Sequence, residues 1–402
     1  MKPSRATFLL LFLFAVMTAV SWLTWANPIV DGGREMNTPL RLLHGDMLYS
    51  EVYYLYGPVA PYVNALLFSV FGIHLNTLYA AGIAGSLMLV MLVFYLGRRF
   101  MTTWEAMLAA AAVLFLSVFK QSGNLIFPYS YSALYGTVAG VLALIMQLRY
   151  LHTKKVSSLI AAGLFSGLAL CCKTEFGLAA VASLLTLVIL SPRERWRVFL
   201  IAFGSFALLP FLIYGTVLAM IPAESLIADT FILPGTIPPE LLYFNKLKMG
   251  LFDVGRTVRE LLSAIALLAG VAGAISLVGR RRAGEPITLC GADRRLRAIW
   301  MITFCGWGFL LLQLPLFGTE WDLNPVRAFP VLFIWLIIVI ACRSTRLRTM
   351  TFSDGALLLI AVYSLAVLAR VILRTPAGGA YGSVLIPVPI VLFFIMAVSL
   401  LP

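Results

Sequence analysis

Residues 156–190 read VSSLIAAGLFSGLALCCKTEFGLAAVASLLTLVIL, an apolar stretch interrupted only by Lys173, Thr174 and Glu175. It can be one long tilted helix, or two short helices that meet at CCKTEFG. The choice fixes the direction of everything downstream, because one crossing more or fewer reverses the side on which each later loop emerges.

The surrounding chain makes this a question about a membrane. Of 402 residues, 61% are hydrophobic and only 12% are charged, and apolar runs long enough to cross a bilayer recur from end to end. Backbone groups in hydrocarbon must be satisfied within the segment itself, so unbroken runs of this length are helices. The expectation is an all-α integral membrane protein with about 12 transmembrane helices. They are placed at 6–26, 76–97, 104–119, 133–148, 156–172, 176–190, 198–220, 258–278, 298–317, 327–342, 355–373 and 384–401. The first, preceded by Lys2 and Arg5, has the charge pattern of a signal peptide, but with later spans following it an uncleaved first helix suffices to start insertion.

Charge decides between the two readings of 156–190. With a hairpin and a cytoplasmic amino terminus, the inner segments hold 19 of the 30 basic residues and 5 of the 17 acids. The net charge then divides as +14 inside and −1 outside, as the positive-inside rule requires. A single long helix would put RERWR, GRRR and RSTRLR outside, 12 basic residues against 7 left inside. The hairpin is therefore expected, with Lys173 and Glu175 on the same outer side as Asp31. The overall charge of +13 is a topology signal and needs no nucleic acid to explain it.

The chain reads as a single polytopic domain, 1–402, with no separate soluble domain. Its main outer segments are 27–75 and 221–257, with shorter ones at 120–132, 318–326 and 374–383. There is no internal repeat and no nucleotide-binding glycine motif. The five cysteines lack paired spacing and the three histidines lack ligand spacing, so no disulfide framework or metal site is indicated.

The first outer segment is the richest in chemistry. In NPIVDGGREMNTPLRLLHGDMLYSEVYYLYGPVAPY, residues 27–62, Asp31, Arg34 and Glu35 stand just beyond the first span. A short helix beginning near Gly33 would carry Arg34 and Glu35 on its first turn, and the apolar run after Tyr56 reads as a helix lying in the interface. These charges alone are equally compatible with a solvated ion-paired loop. Lys173 and Glu175, held at the break between two spans, are either functional or a snorkelling hairpin pair. Later outer segments supply further cations, among them Arg370 and Arg374, together with Tyr381. Arginine suits a phosphate by its bidentate geometry, though any one of these could equally hold lipid head groups without specificity.

An acid just after the first span, then G-D-M-L-Y (45–49), Y-G-P-V-A-P-Y (56–62), F-G (71–72) and K-T-E (173–175) resembles the polytopic C-class glycosyltransferases. The similarity is to bacterial members related to protein mannosyltransferases and to the lipid A aminoarabinose transferases. It is good over residues 1 to about 190 and diffuse beyond. The resemblance implies a polyprenyl-phosphate sugar donor, a glycan, lipid or protein acceptor, and an active site on the outer face of the inner membrane. It implies catalysis by Asp31, with Glu35 as the second candidate. Donor phosphate would be bound by Lys173, Arg370 and Arg374, and substrate by Arg34, Tyr56, Glu175 and Tyr381. No cofactor is required, and a divalent metal is compatible with the chemistry but not indicated. Where the family carries a second acid directly after the first, this chain has Gly32. A transporter or flippase would suit the span count, but such proteins show repeat-related halves and acids at mid-membrane. A non-catalytic envelope assembly protein would not need acids and cations gathered on one side.

Overall fold

The computed structural model describes residues 5–24, 31–120, 123–232, 236, 238–240, 242–243, 254–278, 328–347, 350–373 and 382–400. Its helices are α1 (Arg5–Val20), α2 (Asp31–Leu43), α3 (Val59–Phe71), α4 (Leu75–Gly97), α5 (Thr103–Val113), α6 (Tyr131–Thr153), α7 (Val156–Cys172), α8 (Thr174–Ile189), α9 (Arg195–Met220), α10 (Ala223–Ile227), α11 (Val254–Val278), α12 (Phe329–Leu347), α13 (Phe352–Leu373) and α14 (Pro387–Leu400). Among the described residues the sole β pairing is an isolated bridge between Leu48 and Val52. The protein is an α-helical integral membrane protein. Every expected span within the described residues falls on a helix, and the one expected at 298–317 lies outside them. Leu75–Gly97, Tyr131–Thr153, Pro192–Met220 and Phe352–Ala369 are long and apolar enough by themselves to cross a bilayer.

Residues 156–190 form two helices. Lys173 is their shared boundary, extended at φ −157° and ψ 130°, and α7 packs back against α8. No glycine or proline separates Cys172 from Thr174, so the break depends on tertiary partners. The Gly57 N–H donates to the Cys172 carbonyl at 3.1 Å, satisfying one of the carbonyls that a helix end leaves open.

The centre of the bundle is α6, which packs against α3, α4, α7, α8 and α13 and is buried on nearly all sides. Small residues make this crowding feasible: Gly136 lies against the Phe176 ring and Gly140 against the Tyr363 hydroxyl. The α7–α9 contact is of the same kind. Gly163 and Gly167 form a small-x-x-x-small pair, and a side chain at either would collide with Ser205 or with the Phe206 carbonyl. That carbonyl is the one Pro210, within α9, leaves without its helical donor. By contrast, much of α9 is exposed, with Leu200, Phe211 and Leu212 facing outward, as befits a lipid-facing surface.

Among the described residues the helix boundaries gather at two ends. One collects the boundaries of α4 and α5, α6 and α7, α8 and α9, and α12 and α13, where Arg343 lies 4.0 Å from Asp354 and His152 packs edge-on against Phe352. The other end carries α2, the start of α6 and the α7–α8 break. Gly167→Leu should overpack the α7–α9 crossing and cost roughly 1–3 kcal/mol, read as a lower unfolding midpoint in detergent. Gly204→Ala, on the same helix pair but with open space around it, should not lower the midpoint and should raise it slightly, since alanine is the better helix former by roughly 0.5–1 kcal/mol.

Candidate active site

The first turn of α2 begins at Asp31, so Asp31, Arg34 and Glu35 project from successive positions of one helical end. Arg34 Nη1 lies 3.3 Å from Asp31 Oδ1, and Arg34 Nη2 lies 3.3 Å from Glu35 Oε1. The same Nη2 donates to the Tyr129 carbonyl at 2.6 Å. Glu35 Oε2 accepts the Tyr131 N–H at 2.9 Å. Adjacent residues of α2 thus grip two backbone groups at the start of α6, one a carbonyl and one an N–H. The Tyr131 N–H belongs to the first turn of α6, where a carboxylate also meets the positive end of the helix dipole.

The two acids differ sharply in environment. Glu35 is 3% exposed, whereas the Asp31 side chain is 30% exposed. Burial pushes the Glu35 carboxyl up to about 7, against the opposing pull of Arg34 and the Tyr131 N–H. Asp31 is the more accessible of the two acids.

Lys173 occupies the floor of the cluster. Its side chain is 2% exposed, and Nζ donates to the Tyr129 hydroxyl at 2.5 Å. The ammonium lies 4.4 Å from the Tyr56 ring centroid and 4.8 Å from that of Tyr129, with Glu175 Oε1 at 4.0 Å. Two aromatic faces, a phenol and a carboxylate together compensate a charge withdrawn from water. The side chain therefore turns inward and does not snorkel. Arg34 lies 5.6 Å from the Tyr56 ring centroid, so Tyr56 and Tyr129 connect the α2 charges to the α7–α8 break.

The loop between α2 and α3 completes the wall. The Tyr54 hydroxyl pairs with the Ser132 hydroxyl at 2.9 Å, and the Tyr49 hydroxyl donates to the Tyr56 carbonyl at 2.6 Å. Gly57 sits so close to the Cys171 carbonyl that a Cβ would collide with it. This gives the glycine of Y-G-P its physical reason. From the opposite side, the Asp229 carboxylate accepts the Tyr54 N–H at 3.1 Å, fastening the short turn Ala228–Ile232 onto the loop.

The structure thus brings together Asp31, Arg34, Glu35, Tyr56, Lys173 and Glu175. Arg374 and Tyr381 lie outside the described residues, as does the side chain of Arg370. Sequence reasoning missed Tyr129, Tyr131, Tyr54 and Asp229. The aromatic density of FPYSY at 127–131 was the available signal for the first two, whereas Tyr54 and Asp229 meet through the Tyr54 N–H and the Asp229 carboxylate, 175 positions apart, a pairing that leaves no sequence pattern.

Residues 56–218 match the family described as dolichyl-phosphate-mannose-protein mannosyltransferase. The resemblance read from the sequence is shown over that stretch. It takes in Tyr56, Gly57, Tyr129, Tyr131, Lys173 and Glu175, and begins downstream of the α2 charges. Two solved structures of ArnT from Cupriavidus metallidurans are similar to this chain. The one bound to undecaprenyl phosphate has a TM-score of 0.43 at 16% identity, and the apo form 0.44 at 17%. Each alignment covers 98% of this chain and 78% of the other. No curated protein matches the sequence.

Because Glu35 titrates near 7 in the folded protein, against 4.5 ordinarily, folding favours its neutral form. Its contribution to stability is complete at acidic pH below its ordinary value and is lost as pH rises through about 7. The unfolding midpoint should therefore decline from about pH 5 to about pH 8, and Glu35→Gln should flatten that decline. Glu35→Ala should cost about 3 kcal/mol, since it leaves Arg34 under-paired and the Tyr131 N–H unsatisfied. An unchanged midpoint in Glu35→Ala would contradict the clamp.

Proposed function

We propose that the protein is a membrane glycosyltransferase that moves a sugar from a polyprenyl-phosphate donor to an envelope acceptor at the outer face. The observation that carries this reading is the pairing of an accessible carboxylate, Asp31, and its neighbour Arg34 on α2 with Lys173, which lies within the stretch that matches the mannosyltransferase family. The family match supports the reaction class, and the charge distribution supports the outer location.

In this reading Asp31 orients the acceptor hydroxyl and takes its proton while the acceptor oxygen bonds to the anomeric carbon. The bond from that carbon to the phosphate oxygen breaks, and the lipid phosphate departs with its electron pair. Arg34, 27% exposed, meets that phosphate directly, and Lys173 adds positive potential from behind the Tyr56 ring, where low-dielectric packing lengthens its reach. Attack opposite the leaving group inverts the anomeric centre, since a single base suffices. Glu35 serves as the positioning residue, because its carboxylate is committed to Arg34 and the start of α6. Arg370 and Arg374 remain candidates for the phosphate, and Glu175 and Tyr381 for substrate contact.

Asp31→Asn keeps the side chain's volume and removes its basicity. It should insert and elute as the wild type does, yet lower transfer from a polyprenyl-phosphate sugar by roughly 10²-fold or more. Glu35→Gln should retain the greater part of the activity. Wild-type turnover by Asp31→Asn would remove Asp31 from the reaction.

A further inference from the structure

At the opposite end of α6 the bundle holds a partly open pocket of about 180 Å³ that plays no part in the site described above. It lies between the ends of α4 and α6 and the start of α13. Arg99, Arg149 and His152 line it, and the remainder of its wall is largely apolar, including Phe100, Leu148 and Phe352. No acidic residue is among its lining residues. Among the described residues neither Arg99 nor Arg149 forms an ion pair; Arg99 turns to the ring and hydroxyl of Tyr95. Arg149 lies 18 positions after Tyr131 on one continuous helix, about 27 Å along its axis. The cavity and the α2 cluster are therefore separate places.

Two guanidinium groups and an imidazole around an apolar cavity are matched by a ligand that carries a phosphate on a hydrocarbon body. A soluble anion would use the cations and leave the apolar wall wet, whereas a neutral lipid would use the wall and make no use of two exposed arginines. The position sharpens the match. The cations stand at the C-terminal ends of α4 and α6, on the end of the bundle where Arg98, Lys154, Lys155, Arg193, Arg195 and Arg197 also emerge. Basic pockets between transmembrane helices on a positively charged side hold anionic head groups. We infer that this cavity is a binding site for the head-group phosphate of an anionic phospholipid, with its acyl chains on the apolar wall and the neighbouring helix surface.

The test is native mass spectrometry of the full-length protein, released from detergent containing equal amounts of phosphatidylglycerol and phosphatidylcholine. The wild type should retain phosphatidylglycerol preferentially. Arg99→Gln combined with Arg149→Gln should weaken that retention by roughly 25-fold, about 5-fold for each arginine. Arg149→Lys, which keeps the charge, and Arg98→Gln, which lies outside the lining, should stay close to wild type. Equal retention of the two lipids by the wild type would overturn the inference whatever the fate of the variants. So would a monodisperse double variant with undiminished preference, or release of the lipid by excess inorganic phosphate, which would mark a site for a free anion.

Discussion

A carboxylate can sit inside an apolar bundle only where donors meet it, and Glu35 meets two. Arg34 supplies one and the Tyr131 N–H the other, while the same arginine reaches past to the Tyr129 carbonyl. This double grip anchors α2 to the start of α6, the helix that contacts most of its neighbours. The rest of the cluster depends on that attachment. Tyr129 is held where its hydroxyl receives the Lys173 ammonium, Tyr56 is held between two cations, and Asp31 is left half-exposed at the edge. Partition of the two acids into a buried anchor and an accessible reagent is a consequence of helical geometry. They stand four positions apart on one face, about 6 Å along the axis, so one meets α6 while the other stays at the edge.

The α7–α8 break illustrates how far local sequence reaches. Charge counting selects the hairpin over a single helix, and the fold has the break at the residue expected from the interruption, Lys173. The break is supported from outside the local sequence: the Gly57 N–H, in a loop more than a hundred positions earlier, donates to the Cys172 carbonyl. The same holds for Lys173 itself. From composition, a lysine at a helix boundary near a membrane surface should extend toward phosphates. Here two tyrosine faces and a phenol, brought by separate segments, stabilise the inward position.

The span pattern was legible because a bilayer imposes it on every helix independently. The gathering of Asp31, Arg34, Glu35 and Lys173 was legible through their position just beyond span ends on one side. The tyrosine scaffold was less so. To Arg34 and Glu35, Tyr129 and Tyr131 contribute a carbonyl and an N–H, groups that every residue but proline has, and nothing in the side-chain pattern says which backbone atoms an arginine or glutamate will seek. Gly163 and Gly167 were likewise readable as a spacing, but their partner, the carbonyl freed by Pro210, emerges only when α9 is laid beside α7.

The central claim is that the α2 cluster and the α7–α8 break share the outer face, opposite the basic end of the bundle. Thr174 is exposed at that break, while Cys171 and Cys172 beside it are buried and Cys342 is exposed at the other end. The most direct measurement is labelling of Thr174→Cys, in a background with Cys290, Cys305 and Cys342 each changed to Ala, with a membrane-impermeant thiol reagent applied to intact spheroplasts. Labelling from the outer side is the expected result. Labelling only after the cytoplasmic face is opened would reverse the bundle and place the acids, the cations and the proposed chemistry on the wrong side of the membrane.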